Sequence, residues 1–332
     1  MQFNSIGVIG AGAWGTALAL VAARAGRTVT LWARRPEHAA AMTAARENRQ
    51  YLPGIALPDT IAITSDRTAV SNSDALLIAV PAQSVRRVAE AFGDLVPTGC
   101  TLVVCAKGIE RGTGLTVGQA LASVLPGRPI AVVSGPTFAK EVARGLPTAV
   151  TVAAERIEIA EDLAQALATP TFRPYASADV IGVEVAGALK NVIAIACGVV
   201  AGLHLGENAR ASLITRGLAE IRRLAVAKGG DAQTLMGLGG LGDLVLTCSS
   251  EQSRNFAFGK ALGEGQPIAA LLARPDVTVE GAMTASAIPA LAQKHGIEMP
   301  ICAAVAAVIE GEAGIDDAMA GLLSRPLGQE LP

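Results

Sequence analysis

One lysine stands within the most apolar stretch of the chain, residues 181–203, where Lys190 and Asn191 are flanked by alanine, valine, leucine and isoleucine. Burial disfavours the charged form of a lysine and lowers its pKa towards neutrality, which suits a group that exchanges a proton with a substrate. Gly187, one helical turn earlier, predicts room for a ligand beside it. These residues predict an acid–base group at Lys190. The alternatives are a lysine that extends to the surface or pairs with Glu184.

A glycine motif of the GxGxxG form occupies residues 10–15, after a β-rich run and before a helical segment. Gly10 permits a tight turn, Gly12 allows the backbone to approach a pyrophosphate, and Gly15 allows helix and strand to pack closely. The helix N-terminus then points towards the phosphates. In this context the motif predicts a dinucleotide site.

A second match to GxGxxG, residues 237–242, follows no β-rich run, because Ala232 to Met236 has a helical pattern. It also lies in the second half of the chain rather than in a first β–α unit. We interpret it as a tight glycine loop that positions Asp243, and not as a nucleotide site.

Two arginines, Arg34 and Arg35, stand at the end of the second β-rich run, where dinucleotide-binding folds place an acidic residue against the ribose hydroxyls of NAD. A guanidinium complements a 2′-phosphate, whereas a carboxylate would repel it. The pair therefore predicts NADPH as the preferred cofactor and leaves NADH open as a second one. The alternative is two solvated surface arginines.

A hydroxyl, a guanidinium and an amide follow one another at Ser253, Arg254 and Asn255. Together these groups suit a phosphate at a helix N-terminus. The alternative is that the serine and the asparagine cap a helix for structural reasons alone.

Eight β-rich runs alternate with helical patterns up to about residue 176, and long helical segments follow from about residue 180. Such alternation is typical of β–α units and a mainly parallel sheet. The sequence predicts an α/β fold, with an N-terminal Rossmann-type domain over residues 1–180 and a C-terminal all-helical domain, carrying substrate-binding and catalytic groups, over residues 181–332. The predicted strands are residues 6–10, 28–34, 60–64, 75–80, 101–106, 130–133, 149–153 and 172–175, and the main helices are 16–25, 182–202, 208–228, 288–295 and 303–312.

The charge balance is close to neutral, with a formal net charge of −2 over 332 residues. It predicts no general attraction to nucleic acid or anionic lipid. The N-terminus lacks the positive segment of a signal peptide, and polar residues interrupt the apolar stretch 181–203, so we expect a cytoplasmic protein without stable membrane insertion. The five cysteines and three histidines are scattered, which predicts buried thiols and no metal site.

Seven short blocks carry a resemblance to a known family: GAGAWGTA (10–17), KGIE (107–110), SGPTFAKE (134–141), LKNVIA (189–194), GGLGD (239–243), SRN (253–255) and VEG (279–281). Together they resemble the bacterial NAD(P)-dependent glycerol-3-phosphate dehydrogenases, in the right order and over residues 6–305. The resemblance implies a Rossmann domain joined to a helical substrate domain, with the active site between them. It also implies reduction of dihydroxyacetone phosphate to sn-glycerol 3-phosphate, which feeds phospholipid synthesis.

The resemblance further implies roles for individual residues. Lys190 exchanges the proton, and Lys107 contacts both substrate and cofactor. Asp243, which follows the glycine loop, is expected to orient Lys190 or a substrate hydroxyl, and the alternative for it is a turn aspartate. The implied substrate-binding residues are Lys107, Gly135, Thr137, Lys190, Asp243, Ser253, Arg254 and Asn255. With the glycine motif and the arginine pair included, the cofactor-binding set is Gly10, Gly12, Ala13, Trp14, Gly15, Arg34, Arg35, Lys107, Ala139, Arg254, Thr278 and Glu280.

Two positions depart from the family's frequent pattern. Ala13 stands where many members have serine, which removes a hydroxyl contact to a phosphate but keeps the backbone donor. Arg35 stands where an acidic or amide residue is frequent, which favours NADPH.

Two other functions share features of this pattern. A β-hydroxyacid dehydrogenase has the same two-domain plan and a helix-borne lysine but acts on a carboxylate, whereas the blocks 134–138 and 240–243 favour a triose phosphate. A catalytically silent NADP-binding sensor is the second alternative, since fold does not fix function. Retention of Lys107, Lys190 and Asp243 together argues against it. For such enzymes a symmetric homodimer is the default expectation.

Overall fold

The computed structural model describes residues 2–274 and 278–327, and a sheet of eight strands forms the first part of the described chain. Each of the eight predicted β-rich runs overlaps one strand, which confirms the predicted α/β fold with a mainly parallel sheet. The strands are β1 Ser5–Ile9, β2 Thr28–Trp32, β3 Ile61–Thr64, β4 Ala75–Ile78, β5 Thr101–Val104, β6 Ile130–Ser134, β7 Thr148–Ala154 and β8 Phe172–Ser177.

The strand order in the sheet is β3-β2-β1-β4-β5-β6-β7-β8, and all neighbours pair in parallel except β6 and β7. The order reverses between β1 and β4, and in such sheets ligands bind in the crevice at the carboxyl ends of the strands at this point. Gly10, Lys107 and Gly135 follow β1, β5 and β6, respectively. The parallel topology therefore brings three predicted site residues from three loops to one edge of the sheet.

Two apolar clusters cover the two faces of this sheet. Because side chains alternate along a strand, Val8 and Leu77 belong to one cluster and their neighbours Ile9 and Ile78 to the other. The helices that complete these layers are α1 Ala13–Arg24, α2 Pro36–Ala45, α3 Arg67–Ser71, α4 Val85–Phe92, α5 Val117–Val124, α6 Ala139–Ala143 and α7 Ile157–Leu167. Helix α1 begins three residues before its predicted start and ends just before Gly26, which has a φ of +77°.

The described chain after β8 is helical and has an apolar cluster of its own. The predicted helices 182–202, 208–228, 288–295 and 303–312 correspond to α8, α9, α14 and α15, with ends displaced by up to three residues. The sheet ends at Ser177 and α8 begins at Val180, and the division into two domains at 180/181 stays a prediction. The helices are α8 Val180–Gly202, α9 Gly206–Ala227, α10 Asp243–Cys248, α11 Arg254–Gly263, α12 Ile268–Leu272, α13 Glu280–Ala285, α14 Ile288–His295, α15 Pro300–Ile309 and α16 Ile315–Leu323.

Helix α8 is the central element of this helical part and packs against α9, α10, α11, α13 and α15. It is long and apolar enough to cross a membrane, but most of its length is buried inside the protein, as in the core helix of a globular protein. Its apolar character on all sides therefore reflects the helices that surround it.

The glycine-rich segment before Asp243 is helical, which corrects the prediction of a loop. A 3₁₀ turn at Ala232–Met236 leads into a π-helical turn at Leu238–Gly242, in which the Gly242 amide donates to the Gly237 carbonyl at 3.2 Å. A Cβ on Gly240 would lie 2.1 Å from the Leu235 carbonyl oxygen, so this winding requires glycine. The segment follows no strand and delivers Asp243 as the first residue of α10.

Candidate active site

Lys190 lies in α8 and is almost fully buried, with 6% of its surface exposed. Its Nζ forms an ion pair with Asp243 Oδ1 and donates a hydrogen bond to Thr247 Oγ1 at 2.8 Å. Asp243 and Thr247 lie one turn apart in α10, so both face α8. The lysine is therefore held by a helix more than 50 residues further along the chain.

Glu184, the local partner considered for this lysine, is engaged elsewhere. It is buried, and its carboxylate accepts hydrogen bonds of 2.7 Å from Thr116 Oγ1 and from the Gly118 amide at the start of α5. Burial raises the pKa of Glu184 to about 6, and these two hydrogen bonds oppose the rise. Both local alternatives for Lys190, surface extension and a pair with Glu184, are therefore wrong.

Asp243 bridges two lysines. Its Oδ2 accepts from Lys107 Nζ at 2.6 Å, while Lys107 also donates to the Gly135 carbonyl at 3.1 Å. Asp243 itself is completely buried. Two ammonium groups and one carboxylate leave a local excess of positive charge when both lysines are protonated. This excess suits an anionic substrate or an oxygen that gains negative charge during reaction.

The environment of Lys190 shifts its pKa. Burial lowers the pKa of Lys190 to about 8, the Asp243 carboxylate opposes this effect, and the Lys107 ammonium adds to it. A group with this pKa can hold a proton at neutral pH and release it under mildly basic conditions. The predicted shift towards neutrality is thus present, and Asp243 limits its size.

Gly187 makes room for protein side chains, where the sequence had predicted room for a ligand. A Cβ at Gly187 would lie 3.1 Å from Ser134 Oγ and 3.4 Å from Lys107 Cγ. The glycine thus allows Lys107 to pass α8 on its way to Asp243. Ser134 Oγ is buried at this point without a hydrogen-bond partner among the described residues.

The glycine motif forms the turn between β1 and α1. Gly10 has a φ of +113°, and a Cβ there would lie 2.8 Å from the Ala79 carbonyl oxygen, while a Cβ on Gly15 would lie 1.9 Å from the Gly10 carbonyl oxygen. These two positions therefore require glycine for backbone conformation and packing. No protein atom lies within 4 Å of the place that a Cβ of Gly12 would take. The backbone is open on that side.

This turn fits a dinucleotide diphosphate. Gly12 is the N-cap residue of α1, and no side chain caps the helix. The amides of its first turn therefore have no protein side chain bound to them. Ala13 and Trp14 form that first turn, and Trp14 is fixed by a hydrogen bond of 3.2 Å from its Nε1 to the Cys105 carbonyl. An open, uncapped helix N-terminus beside a glycine is the local structure that binds phosphate groups.

The two arginines after β2 differ in their surroundings. Arg34 is exposed, and none of the described residues forms a hydrogen bond or ion pair with its side chain. Arg35 is also exposed but donates to Gln50 Oε1 at 2.7 Å, and it lines a surface cavity of about 360 Å³ between α2 and residues 47–50. Of the pair, Arg34 is the one with its guanidinium available to a ligand.

Ser253, Arg254 and Asn255 stand at the N-terminus of α11, as predicted. Ser253 caps the helix and accepts from the Phe256 amide at 3.3 Å. Arg254 is exposed. Asn255 is buried, donates to Asn191 Oδ1 at 2.9 Å and accepts from the Gly281 amide at 2.9 Å.

This hydrogen-bond pattern divides the three residues. The capping role expected as the alternative is therefore present for Ser253. Asn255 does not cap α11 but bonds to Asn191 and Gly281, and Arg254 keeps its guanidinium outside the hydrogen bonds among the described residues. Asn255 also connects α11 to α8, which carries Lys190, and to α13, which begins with Glu280.

Glu280 begins α13 and faces the sheet part of the molecule. Its Oε1 accepts from the Ala82 amide at 3.1 Å, and its Oε2 is buried without a partner among the described residues. Burial raises the pKa of Glu280, while the Ala82 hydrogen bond and the Arg254 charge oppose the rise. A Cβ on Gly108, next to Lys107, would lie 3.5 Å from this free oxygen. An unsatisfied buried acceptor at this point fits a ligand that donates a hydrogen bond.

Four of the predicted site positions remain to be described. Gly135 has a φ of +152°, and Thr137 Oγ1 donates to its carbonyl at 3.2 Å. Ala139 is the first residue of α6. Thr278 is exposed, two residues before α13. Nothing in the contacts of Ala139 or Thr278 identifies a role for them.

Thr247 and Ser134 belong to this site but were not predicted as site residues. Thr247 follows Asp243 by one helical turn, a spacing that becomes informative only when α10 is known to start at Asp243. Ser134 is the first residue of the block 134–141, but the sequence did not predict a place for its hydroxyl in the site. Among residues 2–274 and 278–327 no cluster of three histidine, cysteine, aspartate or glutamate side chains could hold a metal, and all five cysteines are buried free thiols.

Comparison with known proteins decides the family. Two family models match, the N-terminus of NAD-dependent glycerol-3-phosphate dehydrogenase over residues 5–160 and its C-terminus over residues 179–320. The chain belongs to this family. A relative named glycerol-3-phosphate dehydrogenase [NAD(P)+] from Parvibaculum lavamentivorans is 52% identical, with 99% of each chain covered. One of the same name from Caulobacter vibrioides is 53% identical, with 99% of this chain and 100% of the relative covered.

Solved structures agree with this assignment. A glycerol-3-phosphate dehydrogenase from Coxiella burnetii is 42% identical and superposes with a TM-score of 0.92, covering 98% of this chain and 99% of that one. A ketopantoate reductase from Ralstonia eutropha reaches a TM-score of 0.60 at 18% identity, which shows a shared fold alone. The resemblance inferred from the seven blocks is confirmed.

Proposed function

We propose that the chain is an oxidoreductase that interconverts dihydroxyacetone phosphate and sn-glycerol 3-phosphate with NAD(P)H. The buried Lys190–Asp243–Lys107 cluster carries the proposal, since it places a protonated amine of lowered pKa and a second cation at the carboxyl edge of a dinucleotide-binding sheet. Membership of the family supports the same substrate. Neither alternative, a β-hydroxyacid dehydrogenase or a silent sensor, has an observation that favours it.

Lys190 is the proposed proton donor for the reduction. When bound, the nicotinamide supplies the two electrons that reduce the carbonyl carbon. Lys190 Nζ stabilises the charge that develops on the carbonyl oxygen and delivers the proton, and in the reverse direction it accepts the proton from the alcohol. A donor of this kind typically lowers the activation free energy by about 3 kcal/mol.

Asp243 and Thr247 keep the Lys190 amine in place for that transfer. Their two acceptors use two of the three ammonium hydrogens and leave one for the substrate. Lys107, held by Asp243 and by the Gly135 carbonyl, adds a second positive charge beside the reacting oxygen. Lys190, Lys107 and Asp243 are therefore the proposed catalytic group.

Arg254 is the proposed phosphate-binding residue of the substrate site. Its exposed guanidinium stands at the N-terminus of α11, whose amides add positive character at the same place. Asn255 has one amide hydrogen outside its protein hydrogen bonds, so it both positions the helices and can bind the substrate. Gly135, Thr137 and Ser253 complete the proposed substrate site.

The proposed cofactor site consists of the turn at residues 10–15, the two arginines after β2 and the Glu280 carboxylate at the start of α13. The uncapped first turn of α1 would hold the diphosphate, and Glu280 Oε2 would accept a hydrogen bond from the cofactor. Arg34 supports a preference for NADPH over NADH, because its free guanidinium can pair with a 2′-phosphate. Ala139, Thr278 and Arg35 keep their predicted places in this site as proposals.

The arrangement of the chain supports a two-domain enzyme with its site between residues 1–180 and 181–332, since Lys107 comes from the first part and Lys190 and Asp243 from the second. A homodimer, a cytoplasmic location without stable membrane insertion and a role in phospholipid synthesis stay predictions.

The test is the loss of absorbance at 340 nm when purified protein is mixed with dihydroxyacetone phosphate and NADPH or NADH, in parallel with a 3-keto acid, the oxidised form of a β-hydroxy acid, as substrate. We expect oxidation of NADPH with the triose phosphate and none with the keto acid. Activity with the keto acid alone would support the hydroxyacid alternative. Binding of NADPH without oxidation by either substrate would support the sensor.

A further inference from the structure

Asn48 is a fully buried asparagine beside the glycine turn, and all of its side-chain hydrogen-bonding capacity is used. Its Nδ2 donates to the Ala11 carbonyl at 3.0 Å and to Thr16 Oγ1 at 2.8 Å. Its Oδ1 accepts from the Tyr51 amide at 3.3 Å and from His38 Nε2 at 3.2 Å. Such complete use of a buried amide fixes its position closely.

The loop at residues 46–57 that carries Asn48 is compact and anchored to the sheet domain. Its ends meet where the Leu57 amide donates to the Arg46 carbonyl at 2.8 Å, and Glu47 and Ala56 form an isolated bridge. Leu52 and Leu57 bury their side chains in the apolar cluster under α1 and α2. The loop therefore presents Asn48 to the glycine turn from a rigid base.

The contact at Ala11 controls the direction of a backbone donor. Ala11 C=O and Gly12 N–H belong to one trans peptide plane and point in opposite directions. Because Asn48 holds the carbonyl on the buried side, the Gly12 N–H points to the opposite side, away from Asn48. Gly12 is also open where a side chain would stand, since no protein atom lies within 4 Å of the place that its Cβ would take. The second bond of Nδ2, to Thr16, fixes the first turn of α1 relative to the same peptide, since the Thr16 amide donates to the Gly12 carbonyl.

We propose that Asn48 is a positioning residue for dinucleotide binding, which orients the Ala11–Gly12 peptide towards the cofactor diphosphate. The inference rests on the proposed function, since it concerns the cofactor of that reaction. All nicotinamide dinucleotides share the diphosphate, so loss of Asn48 weakens the binding of NADPH and of NADH to the same degree. The substrate site is formed by other elements and keeps its affinity.

The test compares Asn48→Asp with Leu57→Ala by titrating NADPH and NADH against intrinsic or cofactor fluorescence. The aspartate has the size of the asparagine but cannot donate to the Ala11 carbonyl, whereas Leu57→Ala removes packing from the same loop and leaves the four hydrogen bonds of Asn48. We expect Asn48→Asp to raise both dissociation constants about tenfold or more, as for a lost buried hydrogen bond, and to leave the KM for dihydroxyacetone phosphate at saturating NADPH unchanged.

The control variant separates positioning from loop stability. Leu57→Ala is expected to lower the melting temperature with little change in dinucleotide affinity, and Asn48→Ala replaces the aspartate variant if that one does not fold. Unchanged affinity in the folded Asn48 variants, or an equal loss in Leu57→Ala, would overturn the inference while the proposed function stands. Failure of the wild-type protein to bind NADPH would overturn both.

Discussion

The carboxylate of Asp243 and the ammonium group of Lys190 form a buried ion pair across 53 residues of sequence. The pair joins the first residue of α10 to the central helix α8, and Lys107 reaches the same carboxylate from the sheet part of the molecule. A single buried carboxylate thus assembles two lysines from two regions of the chain. The chemistry of the site depends on the balance between these three charges.

The pH dependence of the reaction follows from Lys190. Reduction requires the protonated amine and oxidation the neutral amine, and the pKa of Lys190 in the folded protein is lowered from 10.5 to about 8 by burial. The turnover number for dihydroxyacetone phosphate reduction should therefore fall as the pH rises through about 8, while that for glycerol 3-phosphate oxidation should rise over the same range. Steady-state rates in both directions between pH 6 and 10 measure this. Midpoints near 10.5 would contradict the assignment.

Replacement of the Asp243 carboxylate, which bridges the two lysines, should move the pH midpoint of dihydroxyacetone phosphate reduction. In Asp243→Asn the two lysines lose the charge between them, so their mutual repulsion and the burial of Lys190 act without opposition. We expect a turnover reduced by roughly tenfold or more at neutral pH and a reduction midpoint shifted below 8. Asp231→Asn, at an exposed cap of the preceding 3₁₀ turn, is the control, because asparagine caps equally well. An unchanged pH profile in Asp243→Asn would count against the proposed charge balance.

Much of this fold was predictable because the signals for it are local. Strand β4 and helix α8 are both apolar, but the short β-rich run of one and the length of the other distinguish them in the sequence. The turn at Gly10 was likewise predictable, since a glycine motif between a strand and a helix has few other uses.

The contacts that define the site were less predictable because they are long-range. Lys190 could be recognised as unusual, but only the packing of α10 on α8 reveals that its partner is Asp243 and not Glu184. The space beside Gly187 is filled by Lys107, which approaches from another part of the chain. Asn48 gave no signal, because a single asparagine in a polar loop looks like any other turn residue.

The arginines after β2 should differ in their effect on cofactor choice. Arg34→Ala removes the free guanidinium, so it should raise the KM for NADPH about tenfold and leave that for NADH unchanged. Arg35→Ala is the matched comparison, because its guanidinium is already bound to Gln50, and we expect a smaller effect. Initial rates at varied concentrations of each cofactor give the two KM values and their ratio. An equal change in the KM for NADPH and for NADH in Arg34→Ala would mean that the Arg34 side chain does not bind the 2′-phosphate.

The phosphate of the substrate should depend on Arg254. Arg254→Ala should raise the KM for dihydroxyacetone phosphate by about tenfold or more, because a charge-assisted contact is lost, without changing the slow reduction of unphosphorylated dihydroxyacetone. Lys260→Ala, which removes a half-buried cation later in α11 that pairs with Glu251, serves as the control for general loss of positive charge. A parallel loss with both substrates in Arg254→Ala would place the arginine away from the phosphate.

Lys190 is the proposed proton donor, and the turnover number of Lys190→Met measures its contribution. Methionine fills a similar volume without an amine, and Lys294→Met changes an exposed lysine in α14 as the control. NADPH oxidation with saturating dihydroxyacetone phosphate should fall on the order of a hundredfold or more in Lys190→Met, with NADPH still bound, and stay near the wild-type rate in Lys294→Met. Turnover of folded Lys190→Met within a few-fold of the wild type would exclude Lys190 as the proton donor.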